Sequence, residues 1–429
     1  MRARRTGGGR VGLALAGGGP VGAVYEIGAL RALDEAVDGL ELNDLHVYVG
    51  VSAGSLVASF LANGMSTAYL VRILAEHEPA DPLLPAVFFT PAYREFVERG
   101  IRLPEIVTDA VLTFLQHPNI FRSASRLSRA IPSAMFDNRP LRRALEEAFS
   151  RSGRSNDFRE LGRRLVVVAT DLATGTAIRF GDGELDGVPI SQAVQASCAL
   201  PGLYPPVSIN GRCCVDGVLL KTVHASVAFE HGARLVVCVN PIVPVDTSAG
   251  VAAGELPRGV LLQGGLPTLL SQTFRTMIHS RLAAGFATYP ERYPDSQFVL
   301  LEPPRDEYDM FFSNVFSLSS RRKVCDLAYH VTRRDLLRRY DHLAPIFAAA
   351  GLRLRRDVLE DGTRDVWEGV GVPRPRGLRH TSEKVTSRLH HALDRIEAAT
   401  QGRPAPRRRV RFTTAFPVQP PAPPADPQG

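Results

Sequence analysis

Lysine is almost missing from this chain. Of its 51 basic residues only Lys221, Lys323 and Lys384 are lysine. Positive charge is therefore carried by arginine, whose planar fork suits phosphate recognition. No run of about 18 or more apolar residues occurs, so no membrane-spanning helix is expected. The opening Met1-Arg2-Ala3-Arg4-Arg5 leads into glycines and one short apolar run, which does not read as a signal peptide with a cleavage site. Cysteine is scarce: Cys198, Cys213, Cys214, Cys238 and Cys325, an odd number with no C-x-x-C pair. That argues against a disulfide framework and against a zinc site. Buried free thiols are the default in such apolar contexts. No internal repeat is visible. The expected setting is reducing and cytoplasmic, with peripheral contact to a membrane left open.

What is present supports a folded core. Hydrophobic residues make up 45% and charged residues 22% of 429. Net charge is +7 and the pI about 9.4. A basic balance fits attraction to an anionic membrane surface or to nucleic acid, though genome base composition is the simpler source. The arginines are scattered, with one dense run at Arg407-Arg408-Arg409. Nucleic acid is not expected as a partner, transient contact with anionic lipid is allowed for, and oligomeric state is not legible.

Val11 to Ala16 is a short apolar run ending in glycines and reads as a buried strand. Val24, Ile27, Leu30, Ala32 and Leu33 then mark an amphipathic helix. Leu45 to Val51 reads as a second strand, followed by a helix from Ser55 to Leu61. This β-α-β-α start implies a parallel sheet with helices on its faces. Residues 65–160 read as mostly helical, with apolar clusters at 83–89 and 111–115. These clusters read first as ordinary core helices and second as an acyl groove or a membrane-touching cap. Further strands are expected at Leu165–Ala169, Cys213–Val215 and Leu235–Val239, and a helix around Ile190–Ala199. Residues 245–262 look like loop, 266–350 look helical, and 352–375 are ambiguous. Residues 383–398 carry helical spacing. The Pro- and Arg-rich stretch 401–429 is expected to be disordered.

Two glycine-bearing turns carry the chemistry. Gly50-Val51-Ser52-Ala53-Gly54 fits G-x-S-x-G between a strand and a helix. A serine there is held in a strained backbone, and small flanking residues let neighbouring backbone pass closely. Gly17-Gly18-Gly19-Pro20-Val21-Gly22 admits three readings: a phosphate-binding G-x-G-x-x-G, an oxyanion loop, or a plain helix start. The next strand ends in a serine rather than in the ribose-binding acid a dinucleotide fold needs, which favours the oxyanion loop. Pro20 has no N–H and cannot be a donor. A serine nucleophile also needs a base. No histidine carries a catalytic signature, and His224 and His231 are the nearest candidates. Asp216-Gly217, at a strand end, is either a carboxylate base or an ordinary Asp-Gly turn, and the residues alone leave that open.

Taken together these residues resemble the patatin-like phospholipase family over about 11–241. Gly17–Gly22, Gly50–Gly54 and Asp216-Gly217-Val218 match its glycine loop, serine elbow and distal Asp-Gly in order. Thr170-Asp171-Leu172 and Ala196–Pro201 with Tyr204–Val207 add support. The resemblance implies a three-layer α/β/α fold with a mostly parallel sheet, spanning an acyl-hydrolase domain at 11–245. Around it lie a disordered start at 1–10, a mostly helical region at 246–400 and the tail at 401–429. It implies a Ser52–Asp216 dyad, Gly17, Gly18 and Gly19 as oxyanion-hole residues, and Gly22, Gly50, Gly54 and Gly217 as supports. Lipid acyl esters are the implied substrates, with no metal or organic cofactor. Two departures stand out: Val21, where many members carry a basic residue, and Val218, where Gly or Ala is common. The rival readings are a catalytically inactive lipid-binding or scaffold relative and a Ser-His-Asp esterase.

Overall fold

The computed structural model describes residues 10–75, 85–93, 101, 105, 108, 134–254, 256–308 and 318–372. The apolar cluster at 111–115, Leu83-Leu84, the helix expected at 383–398, the stretch 401–429 and residues 1–9 lie outside them.

The strands form from short runs that are buried on both faces in the middle of the sheet and partly exposed toward its edges. They are β1 (Val11–Leu15), β2 (Val37–Asp38), β3 (Val47–Val51), β4 (Arg164–Asp171), β5 (Thr176–Phe180), β6 (Val207–Ile209), β7 (Arg212–Asp216), β8 (Leu235–Val239), β9 (Gln297–Leu301) and β10 (Arg353–Leu354). Eight of them form one sheet in the order β6-β7-β4-β3-β1-β8-β9, with β5 also pairing β4. The pairs β1/β3, β1/β8, β3/β4 and β8/β9 are parallel. The pairs β4/β5, β4/β7 and β6/β7 are antiparallel. β2 and β10 form a separate two-stranded ribbon.

Among the helices are α1 (Gly19–Ala36), α2 (Ala53–Ala62), α3 (Ile190–Ser197), α4 (Ala225–Glu230), α5 (Gly265–Ala287) and α6 (Leu318–Arg338). Side chains alternate across each strand, and the cores follow that alternation. Leu13, Leu15, Tyr48, Val167, Val237 and Val299 pack with α1, α2 and α6 on one face. Ala14, Val47, Val49, Val166, Val236 and Cys238 pack with α4 and with Ile278, Leu282 and Phe286 of α5 on the other. This is the expected three-layer α/β/α arrangement. Gly28 lets α1 and α6 cross closely: a Cβ there would stand 2.3 Å from the Cys325 carbonyl oxygen.

Residues 245–262, read as loop, hold short helices at Ser248–Ala252 and Val260–Gln263, and a strand lies where only helix was expected. Residues 266–350 are not uniformly helical, because β9 lies within them and extends the sheet past β8. Its five residues, QFVLL, are too short a run for periodicity to separate a buried strand from part of a helix. All five cysteines are free, and four of them are buried.

Candidate active site

The parallel strands β1 and β3 both end at the carboxyl edge of the sheet, where each runs into a helix. β3 passes into α2 through a single residue, Ser52, with φ 51° and ψ −123°. A non-glycine residue held there costs about 1–3 kcal/mol and persists only where its surroundings enforce it. They do so through close backbone contact. A Cβ at Gly50 would stand 2.4 Å from Ser55 Cα, and one at Gly54 would stand 2.5 Å from the Ala16 carbonyl oxygen. The Gly54 N–H donates to that same oxygen at 2.9 Å. Ser55 Oγ donates to the Ser52 carbonyl at 2.6 Å, which ties the first turn of α2 to the elbow.

Asp216 arrives at Ser52 from the opposite direction. It is the last residue of β7, which runs antiparallel to β4. Its main chain is pinned twice: its N–H donates to the Ala199 carbonyl at 3.0 Å, and its carbonyl accepts from Thr170 Oγ1 at 3.0 Å. Its carboxylate accepts from the Val218 N–H at 2.9 Å, and the Ser52 side chain lies close enough to lower its pKa. Burial dominates its ionisation. Desolvation pushes its pKa up to about 7, against the lowering effects of the Val218 N–H and the Ser52 side chain. A carboxylate in that range is matched to proton transfer near neutral pH.

The glycine loop closes the third side. Gly17 sits against Ser52, since a Cβ there would lie 3.2 Å from Ser52 Cβ and 3.4 Å from Val218 Cγ2. Val218 therefore borders both Gly17 and Asp216. Gly18 caps α1, Gly19 opens it, and Pro20 takes its first turn, where a missing N–H costs nothing. Among the described residues, the N–H groups of Gly17, Gly18 and Gly19 donate no hydrogen bond. Gly18 and Gly22 leave room for Pro241, which follows β8. Gly217 similarly clears the Val168 carbonyl. All nine residues singled out from the sequence thus gather at one edge of the sheet.

Three further residues belong to this arrangement and carried no role in the sequence reading. Ser197, the last residue of α3, accepts the Ser52 N–H at 2.8 Å and donates to the Val168 carbonyl at 2.6 Å. Cys198 places its thiol against the Ser52 and Ser55 hydroxyls, and burial drives its pKa far upward, so it stays a neutral thiol. Pro241 covers the glycine loop. The stretch Ala196–Pro201 was visible as a motif, but its contact with Ser52 spans about 145 residues and has no local signal.

The histidines lie elsewhere. His224 is buried at the start of α4 beside the Gly217 and Lys221 backbone, with its pKa lowered to about 3 by desolvation. His231 pairs with Asp182 at 3.3 Å. Among the described residues no histidine ring hydrogen-bonds Ser52 or Asp216. Nor do three His, Cys, Asp or Glu side chains gather there as a metal site.

Residues 13–229 match the family model described as patatin-like phospholipase, just over half of the chain. An NTE family protein of Mycobacterium bovis, itself termed uncharacterized, is 35% identical over 113 residues, covering 26% of this chain and 18% of the relative. A Mycobacterium tuberculosis relative of the same description matches equally. The chain thus spans less than a fifth of the length of these curated relatives. Among solved structures, VipD from Legionella pneumophila is similar with TM-score 0.34 and 16% identity, over 76% of this chain and 66% of that one. The type III effector ExoU of Pseudomonas aeruginosa has TM-score 0.30 and 15% identity, over 77% and 53%.

Proposed function

This chain belongs to the patatin-like phospholipase family, and from that premise we propose that it is a serine acyl-ester hydrolase acting on lipids through a Ser52–Asp216 dyad. The observation that carries the reading is the placement of the Ser52 side chain beside a buried carboxylate whose pKa is raised to about 7. It joins a nucleophile to a base with no third group between them.

The proposed reaction passes through an acyl-serine. Asp216 takes the Ser52 proton as Oγ bonds to the ester carbonyl carbon, and the carbonyl π pair moves to its oxygen. The N–H groups at Gly17–Gly19, which make no other hydrogen bond among the described residues, face the developing charge. The positive end of α2 adds to this stabilisation. Collapse of the intermediate breaks the ester C–O bond, and the leaving alcohol takes the proton held by Asp216. Water then gives a proton to Asp216 and attacks the acyl-serine. Ser52 leaves with that proton, and the carboxylic acid is released. Lipid acyl esters are the proposed substrates, met at an anionic membrane surface in a cytoplasmic setting.

Fluorophosphonate labelling with mass-spectrometric localisation tests this. Wild type should carry the adduct on Ser52, and Ser52→Ala should carry none while remaining folded. Undiminished ester hydrolysis by a clean Ser52→Ala preparation would sink the mechanism.

A further inference from the structure

α5 has two unlike faces. Ile278, Leu282 and Phe286 are buried in the core beneath the sheet. The face on its N-terminal half is not. Leu266 is 67% exposed, Leu270 59%, Met277 56% and Leu269 37%. At helical spacing these residues and the exposed Thr273 fall within an arc of roughly 100°. Leu262, on the short helix just before α5, adds a further 71% exposed side chain. Single exposed leucines are ordinary, but a contiguous stripe on one helix marks an interaction surface.

Charge identifies the partner. From Leu256 to Pro290 the chain carries Arg258, Arg275 and Arg281 and no aspartate or glutamate. Arg258 is exposed. Arg281, also exposed, donates to the carbonyls of Leu219 and Leu220 at 2.8 and 2.7 Å, which carry no charge to cancel its own. A helix lying in a lipid surface has this composition: leucine inserted among acyl chains, with arginine at the level of the headgroups.

Position joins the stripe to the site. Leu219 and Leu220 lie three and four residues beyond Asp216. Gln272 brackets Val245 with two hydrogen bonds, and Arg275 donates to the Val243 carbonyl. α5 is thereby fastened to the segment that begins at Pro241 over the glycine loop.

We propose that the exposed stripe of α5, Leu266–Leu269–Leu270–Met277, docks on an anionic phospholipid bilayer and sets the Ser52 site at the lipid surface. This rests on the acyl-hydrolase reading for its purpose, but it can be tested apart from it.

The test is flotation of the full chain with phosphatidylcholine vesicles, with and without phosphatidylglycerol. Wild type should bind the phosphatidylglycerol vesicles and lose binding as salt rises. The triple variant Leu266→Ser, Leu270→Ser, Met277→Ser should bind at least about tenfold more weakly. Its hydrolysis of a water-soluble short-chain ester should be unchanged, because none of the three touches the dyad. Thr273→Trp places a reporter in mid-stripe against the buried Trp367. Its emission should shift to the blue on vesicles, a readout that stands even if the triple variant fails to fold. Equal binding by wild type and the folded triple variant, or no blue shift, overturns the proposal. So does a stripe that instead pairs two copies, seen as a dimer dissolved by the triple substitution with vesicle binding unchanged. A chain that binds vesicles through the stripe yet hydrolyses no ester would overturn the hydrolase reading and leave the docking surface standing.

Discussion

Val51 and Asp216 occupy consecutive places along one edge of β4. Val51 pairs with Val168, and Asp216 pairs with the next residue, Ala169. β5 pairs with residues 167–171 of β4 and so takes the other edge. β3 and β7 therefore meet end to end, one parallel and one antiparallel to β4, with their carboxyl ends facing. The residue after Val51 is Ser52. Two segments 164 positions apart are thus brought side by side by the register of a single strand.

The rate should titrate with Asp216. Only its ionised form can take the serine proton, and its pKa is raised to about 7. A pH profile of kcat/KM on a soluble ester should fall about tenfold per unit below that value and level off above it. A profile flat down to about pH 5 would exclude Asp216 as the base.

Asp216→Asn should cut kcat by about 10²–10⁴ and still stabilise the protein in neutral and alkaline solution. The folded pKa lies above the ordinary carboxylate value of 3.8, so the native state holds a proton that the unfolded chain releases. The stability this contributes is complete below the unfolded value and is lost as pH rises to about 7. Between about pH 5 and about pH 8, wild type should lose roughly 3 kcal/mol relative to Asp216→Asn. Urea melts of both proteins at the two pH values measure it.

Ser197→Ala should separate positioning from chemistry. The change strips the Ser52 N–H and the Val168 carbonyl of their shared partner. Leaving a buried N–H unpaired costs about 1–3 kcal/mol. The elbow should loosen, so kcat falls while KM changes little. Fluorophosphonate labelling of Ser52 should slow but not vanish. An unchanged kcat would show that Ser197 does not hold the nucleophile.

The loop and elbow glycines should respond differently to alanine. At Gly50 the added Cβ meets backbone at 2.4 and 2.6 Å, and nothing there can yield. Gly50→Ala should lose at least about 3 kcal/mol or fail to fold. Gly19 has φ 62° and no heavy atom within 4 Å of an added Cβ. Gly19→Ala should cost only about 1 kcal/mol. Thermal melts of the two variants compare them directly.

What could be read from the sequence was local. An apolar run, a glycine turn and a helical period sit within twenty residues of one another at 11–36 and again at 45–62. Strand–turn–helix geometry depends on those neighbours alone, so β1, β3, α1, α2 and the serine between them were legible. β9 was not, because five apolar residues admit either secondary structure until a neighbouring strand is there to pair with.

The sequence by itself determined the order of glycine loop, serine turn and Asp-Gly, and it placed Ser52 between a strand and a helix, where G-x-S-x-G favours a strained turn. Only the tertiary structure decided that the Asp216 carboxylate, which caps the turn at Gly217–Leu219, is also buried beside Ser52. Its raised pKa comes from burial, which packing creates. The hold of Ser197 on the Ser52 N–H, the cover of Pro241 over the glycine loop and the bare leucines of α5 likewise exist only once distant segments have taken their places. Periodicity records which side chains are apolar. It cannot record which apolar face the fold leaves uncovered.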